Sequence, residues 1–308
     1  MKVFRSLENL PSFRNAVVTL GTFDGVHTGH RILIESITEE AKRLGGESVL
    51  LTFDKHPRSV LKPGETETKL LTTLDEKISL LENLGVDNLV VIPFTKEFSQ
   101  LSARDYVTDF LVAKFHPTVI VIGYNHRFGH HRDGSIELLQ KLAKENKFTV
   151  KEINKQLVND IAVSSTRIRV ALEEGDIATA NELLGYEYML NGLVVKGDQR
   201  GRTIGFPTAN IQPSDEHKLV PARGVYVTMT TVNNVQHRSM TNIGVRPTVD
   251  GTSENIETHL IAYDGDLYDQ NITLHFHKRL RDEQKFDGIE SLKKQLEIDK
   301  EETERFFF

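Results

Sequence analysis

Two histidines three residues apart, His27 and His30, stand in the stretch Gly21-Thr-Phe-Asp-Gly-Val-His27-Thr-Gly29-His30, directly after an apolar run and directly before a helical pattern. Glycines let a backbone approach phosphate, and a helix N-terminus offers unpaired N–H groups and the positive end of its dipole. Imidazoles at that spacing can both face the bound group. They can donate hydrogen bonds to oxygens on a phosphorus whose charge grows in the transition state. The plainer alternative is a pair of polar side chains decorating a loop.

A second constellation runs Gly197-Asp-Gln-Arg-Gly201-Arg-Thr-Ile-Gly205-Phe-Pro207-Thr208-Ala-Asn210. The chain contains neither GxxxxGK[ST] nor GxGxxG, so phosphate transfer would need a different cradle. Gly197 and Gly205 can approach phosphate, while the Thr208 hydroxyl and the Asn210 carbonyl provide hard oxygen ligands for Mg²⁺. A strand entered by Pro207 with polar residues on one face accounts for the same letters, and the residues alone leave both readings open. Further on, strand alternation sets Glu257 opposite the face carrying Ile256, Thr258 and Leu260, where a polar cleft can form. His126, His130 and His131 read either as a metal cluster or as a polar loop.

These residues need elements to position them. Ala16–Leu20, Ser48–Phe53, Asn88–Ile92, Val119–Ile122 and Phe148–Glu152 read as strands separated by helices. The helix near Gly29–Leu44 carries Leu33, Ile37, Ala41 and Leu44 on one face, with Gly45-Gly46 at its C-terminus. Thr73-Leu-Asp-Glu76 forms a capping box and Ser102-Ala-Arg-Asp105 opens another helix. Apolar strands with helical crossovers predict a Rossmann-like α/β domain with a parallel sheet, whose ligands bind beyond the strands' carboxyl ends. After about Tyr186, short alternating runs such as Gly224–Thr230, Ile256–Tyr263 and Asn271–Phe276 predict an antiparallel β-barrel or sandwich, followed by a terminal helix. The expected domains are 1–185 and 186–308.

The chain has 308 residues, 38% hydrophobic, which suffices for two cores. With no cysteine, disulfides, thiolate zinc sites, iron–sulfur clusters and a cysteine nucleophile are excluded. A net charge of −6 argues against nucleic-acid coating. No apolar run approaches the ~20 residues a membrane span needs, and the first residues lack a signal-peptide core, so the expectation is a cytoplasmic protein without a membrane or nucleic-acid partner. Oligomeric state leaves no readable mark.

The first stretch resembles the GxFDGxHxGH signature of nucleotidylyl transferases, in the variant of FMN adenylyltransferases. Val163-Ser-Ser-Thr-Arg167-Ile-Arg169 is similar to that family's ISSTxxR segment. The resemblance implies that Gly21, Phe23, Gly29, Ser165 and Thr166 bind ATP, and that His27, His30 and Arg167 act in catalysis. Thr52-Phe-Asp-Lys-His-Pro57-Arg58 resembles TFDPHPR with Lys55 in place of Pro, and Gly123-Tyr-Asn125-His-Arg-Phe128-Gly129 resembles GxDFxFG with His126 where an aromatic is common. These imply Pro57, Arg58, Asn125 and Phe128 on the flavin side.

Gly205-Phe-Pro207-Thr208-Ala-Asn210 resembles the GxPTAN signature of riboflavin kinases. Pro221-Ala-Arg-Gly224-Val-Tyr226, Asn242-Ile-Gly244-Val-Arg-Pro247-Thr248, Glu257-Thr-His259 and Leu280-Arg281-Asp-Glu283-Gln-Lys-Phe286 follow in family order. The resemblance implies Glu257 as the base for the ribityl 5′-hydroxyl, Gly197, Gly205 and Pro207 against ATP, Thr208 and Asn210 on the metal, and Arg281 beside the flavin. Together the two resemblances imply the bacterial bifunctional riboflavin kinase/FMN adenylyltransferase family. Riboflavin would take a phosphate from MgATP to give FMN, and FMN would take AMP from a second ATP to give FAD and pyrophosphate. The rivals are a protein like the class I aminoacyl-tRNA synthetases, which share a HIGH-type loop, and a flavin carrier with a dead site.

Overall fold

The structure, a computed structural model, describes residues 1–61, 68–124, 126–153, 163–197, 200–248 and 251–308. Asn125 therefore lies outside the described residues. The chain divides into two compact units, Met1–Ser164 and Ser165–Phe308.

The first unit is built on a six-stranded sheet in the order β1-β4-β3-β2-β5-β6, with every described pairing parallel. The strands are β1 (Lys2–Phe4), β2 (Val17–Leu20), β3 (Ser48–Phe53), β4 (Asn88–Ile92), β5 (Val119–Gly123) and β6 (Thr149–Ile153). Five were expected. β1 was not, because Lys2 and Val3 are exposed and three residues carry no alternation; it is an edge strand paired to β4. Val49, Leu51, Val90, Ile92 and Ile120 form the core where the sheet meets its helices. Strands β3 and β4 lie to one side of β2, and β5 and β6 to the other. The order reverses at β2, so its carboxyl end is the topological switch point at which such sheets bind ligands. The histidine loop leaves from there.

Helix α1 (Thr28–Arg43) buries Ile34, Ile37 and Ala41. Leu33 and Leu44 are half-buried, so the apolar face sits one residue round from the expected one. Gly45, at φ +57°, ends it. A short helix α2 (Pro57–Leu61) follows β3. Helix α3 (Leu74–Asn83) starts with the expected capping box: Thr73 Oγ1 accepts from Glu76 N–H at 3.3 Å, and Glu76 Oε2 accepts from Thr73 N–H at 2.9 Å. After the short helix Lys96–Ser99, capped by Thr95, Ser102 caps a segment that continues as a π-helix over Tyr106–Val112. That wide turn places Tyr106, Val107, Phe110 and Leu111 in the core.

The second unit contains a closed barrel in the order β10-β11-β8-β7-β12-β9, all antiparallel. Its strands are β7 (Tyr188–Val195), β8 (Ala209–Pro213), β9 (Gly224–Val232), β10 (Val235–Thr248), β11 (Gly251–Leu260) and β12 (Asn271–Arg281). In β7 buried residues alternate strictly with half-buried ones. Inside, the fully buried hydroxyls of Thr230, Ser239, Thr228, Thr241 and Thr258 satisfy one another in a chain with spacings of 2.7, 2.8, 2.8 and 3.0 Å. The helices Ser165–Glu174 and Ile177–Leu184 belong to this unit. Asn181 Nδ2 donates to Phe276 O and Asn181 Oδ1 accepts from Tyr188 N–H, both at 2.8 Å. Leu172 O accepts from Ala222 N–H at 2.9 Å.

The terminal helix Ile289–Phe306 is held by Asp299, only 2% exposed, which takes the Arg281 guanidinium at 2.7 and 3.0 Å. The apolar tail stays largely in solvent, with Phe308 95% exposed. Phe306 and Phe307 lie against the His277 ring, and the Arg238 guanidinium sits 5.0 Å over the Phe308 ring. Among the described residues no helix is long and apolar enough to cross a membrane.

Candidate active sites

The loop leaving β2 is under local strain. Phe23 (φ +46°), Gly25 (φ +84°) and Val26 (φ +37°) all occupy left-handed backbone, which a β-branched residue such as Val26 almost never adopts. Its anchors come from the segment before and inside α3. Asp24, 3% exposed, accepts from Leu71 N–H at 2.9 Å and Thr72 N–H at 3.1 Å. Thr72 Oγ1 accepts from Gly25 N–H at 3.0 Å. The Phe23 ring lies over Gly21, where a Cβ would meet it at 3.1 Å.

His27 caps α1, its Nδ1 accepting from His30 N–H at 3.3 Å. That bond assigns the proton to Nε2. The His27 and His30 rings stack with centroids 3.6 Å apart, and Phe23 meets His30 edge-on at 5.1 Å. Burial pulls the His27 pKa from 6.5 down to about 4 against the attraction of Asp24. Burial, then His27 and the Lys77 ammonium, hold His30 well below 6.5. Both imidazoles are therefore neutral at pH 7, each with one N–H to offer. His30 Nδ1 is buried without a hydrogen-bond partner. No acidic residue lies in the first turn of α1, so its positive end is open to an anion.

Pro57 is the first residue of α2 and Arg58 the second; Arg58 is exposed. Phe53, Asp54, Lys55 and His56, just before them, line a cavity together with Thr22 and Lys77. Phe128 is buried between Tyr106, stacked at 5.4 Å, and His126, stacked at 6.0 Å. The three line an apolar cavity with Leu20, Ile122 and Leu139. Burial, then Arg132, lowers the His126 pKa to about 4, so a neutral imidazole stands in the expected aromatic position. The Tyr106 hydroxyl is buried without a partner. Among the described residues no three His, Asp or Glu side chains converge on a metal; His130 Nδ1 instead meets Ser99 O at 3.2 Å. Ser165, Thr166 and Arg167 start a helix of the second unit.

On the outer face of the barrel, Glu257 is register-paired with Asn210 of β8 and Asn242 of β10. Ile256, Thr258 and Leu260 are buried on the opposite face, as alternation predicted. Thr208 Oγ1 donates to Glu257 Oε2 at 3.3 Å, and Asn255 Nδ2 donates to Glu257 Oε1 at 2.6 Å. The Asn210 side chain lies against Gly197, leaving no room for a Cβ there. Gly205 needs its φ of +86°, and Pro207 O accepts from His259 Nδ1 at 2.8 Å. Arg281 differs from the other nominated residues, since its donors are engaged by Asp299 and Asp282 O.

Sequence reasoning missed three residues. Asp24 sat inside the motif without a role. Lys77 shares a helix face with Leu80 and Leu81, all three buried, a periodicity that marked it as inward-facing. Tyr106 gave no signal, because a π-turn is not written in apolar spacing.

The family descriptions FAD synthetase and riboflavin kinase match residues 10–167 and 184–307. A bifunctional riboflavin kinase/FMN adenylyltransferase of Listeria monocytogenes is 39% identical over 294 residues, covering 95% of this chain and 93% of the relative. The chain belongs to the bifunctional riboflavin kinase/FMN adenylyltransferase family. The enzyme of that name from Escherichia coli (strain K12) is 35% identical over 311 residues, with 100% of this chain and 98% of the relative covered. A crystal structure described as a macrolide-efflux protein from Streptococcus pneumoniae shares the fold, with a TM-score of 0.85 and 29% identity over 98% of each chain. As a bifunctional riboflavin kinase/FMN adenylyltransferase, the protein phosphorylates riboflavin to FMN and adenylylates FMN to FAD, with ATP as co-substrate of both steps.

Proposed function

We propose that the two reactions use separate centres. Adenylyl transfer runs over the Gly21–His30 loop, and riboflavin phosphorylation runs at Glu257. The observation that carries the division is the stacked, neutral His27–His30 pair on an acid-free helix start in one unit, against a hydrogen-bonded carboxylate in the other. The FMN phosphate is already an anion, so its attack on the α-phosphorus needs positioning and charge neutralisation rather than a base. His27 and His30 donate to the phosphate oxygens, and Gly21, Phe23 and Gly29 shape the ATP site. The proposed adenylyltransferase domain is 1–185 and the proposed kinase domain 186–308; the compact units instead divide at Ser164 and Ser165, and a role of Ser165, Thr166 and Arg167 toward the triphosphate rests on their likeness to the ISSTxxR segment. Phe128, with Tyr106 and His126, faces the flavin ring, and Pro57, Arg58 and Asn125 complete that side.

The ribityl 5′-hydroxyl is neutral and gains from a base, so Glu257 takes its proton as the γ-phosphoryl group is transferred. Thr208 and Asn210 fit Mg²⁺, because the donors beside Glu257 are hard oxygens: a hydroxyl, an amide carbonyl and a carboxylate. When bound, the ion would neutralise phosphate charge. Gly197, Gly205 and Pro207 border the ATP, and Arg281 supports the flavin side from its bond to Asp299. A cytoplasmic location belongs to this reading, since both steps consume ATP.

Product analysis tests it. Riboflavin, ATP and Mg²⁺ are supplied, and FMN, FAD, ADP and pyrophosphate are followed in His30→Ala and Glu257→Gln. The first should accumulate FMN and the second should leave riboflavin unconverted. With FMN supplied separately, loss of adenylylation in Glu257→Gln, or loss of riboflavin phosphorylation in His30→Ala, would contradict the division.

A further inference from the structure

Lys77 is 7% exposed, and its Nζ donates to Thr22 O at 2.7 Å and to Thr52 Oγ1 at 3.2 Å. Thr52 Oγ1 itself donates to Thr22 O at 3.1 Å. The Thr22 carbonyl is thus satisfied without a lysine. Burying an ammonium costs several kcal/mol. The ammonium also offsets the buried Asp24 carboxylate. Thr22 lies within the strained histidine loop, Thr52 lies on β3, and Lys77 also lines the cavity shared with Asp54, Lys55 and His56.

We propose that Lys77 is a positioning residue of the adenylyl-transfer centre: its ammonium ties the Gly21–His27 loop, through the Thr22 carbonyl, to β3 and sets a fixed cation behind His30 for the bound phosphates. This rests on the Gly21–His30 loop being that centre. Burial lowers the Lys77 pKa from 10.5 to about 8, opposed by Asp24. The charged or titratable groups around it are Asp24, Asp54, Lys55, His56 and His30. His30 is neutral above pH 7, so it contributes no alkaline transition. The cation is present below about pH 8 and lost above it.

The test measures kcat/KM of FMN adenylylation from pH 6 to 10 in the full chain, with riboflavin phosphorylation and thermal unfolding recorded alongside. The parent should lose activity through an alkaline limb near pH 8, because kcat/KM reports the free enzyme. Lys77→Met should lower kcat/KM by roughly 10–100-fold at pH 7 and flatten that limb, with the kinase rate unchanged. Lys77→Arg, charged throughout, should recover activity and carry no limb. Lys55→Met should keep the limb. If Lys77→Met stays within twofold of the parent with the same limb while His30→Ala is impaired, the role of Lys77 is refuted. If His30→Ala is unimpaired as well, the placing of the centre fails instead. Should Lys77→Met fold poorly, the limb in Lys77→Arg decides: its persistence at pH 8 refutes the proposal.

Discussion

The imidazole of His27 lies flat on that of His30, ring centroids 3.6 Å apart and 15° from parallel. Stacked so closely, the two rings cannot both carry charge at low cost, and burial already disfavours charge on either. The pair enters the reaction neutral, as N–H donors. His30→Ala should leave riboflavin phosphorylation near the parental rate and slow FAD formation from FMN by roughly 10²–10³, the range for one lost transition-state donor. Steady-state assays with FMN supplied directly measure this.

The same burial links stability to pH. The folded pKa of His27, about 4, lies below its unfolded value of 6.5. The unfolded chain therefore binds more protons between those values, and stability falls as pH drops from 6.5 towards 4. Complete protonation would cost up to about 3 kcal/mol. Chemical denaturation of the protein at pH 7 and pH 5 should show the loss, and His27→Gln should reduce it. ¹H–¹⁵N spectra should show the His27 ring untitrated at pH 5.5.

Much of this was legible in the chain. The histidine loop, β2 and α1 are contiguous, so local spacing revealed both chemistry and position. Glu257 came from the likeness of Glu257-Thr-His259 to the riboflavin kinases, and strand alternation supplied only the face it lies on. The rest depends on contacts between distant segments. Lys77 meets the loop only because α3 packs beneath it, and the Arg281–Asp299 pair joins a strand to a helix. The helices spanning 165–184 carry apolar faces that fit a sheet or a barrel equally well, so periodicity does not reveal that Asn181 bonds Phe276 O.

Gly134 approaches Phe128 closely; a Cβ there would meet the Phe128 ring at 2.5 Å and its carbonyl oxygen at 2.7 Å. Gly134→Ala must shift the Phe128 ring or the backbone that pairs Gly134 with Phe128. If Phe128 faces the flavin, KM for FMN in adenylylation should rise several-fold with KM for riboflavin in the kinase step unchanged. Unaltered FMN kinetics would remove Phe128 from the flavin site.

Arg281 forks onto Asp299, which Gln295 also reaches at 2.9 Å. Asp299→Ala leaves a partly buried guanidinium unpaired and should destabilise the barrel by about 3–5 kcal/mol. Combining it with Arg281→Met should recover part of that loss in denaturant unfolding. A flavin role for Arg281 requires KM for riboflavin to stay raised in the double variant.

The most direct test of the two-centre account is Glu257→Gln, which keeps the shape and one acceptor oxygen but cannot accept a proton near neutral pH. Initial rates are measured separately with riboflavin and with FMN as substrate. The account predicts a kinase rate lower by roughly 10²–10⁴ with riboflavin still bound, and adenylylation of FMN unchanged. Riboflavin phosphorylated at the parental rate across the pH range would contradict it.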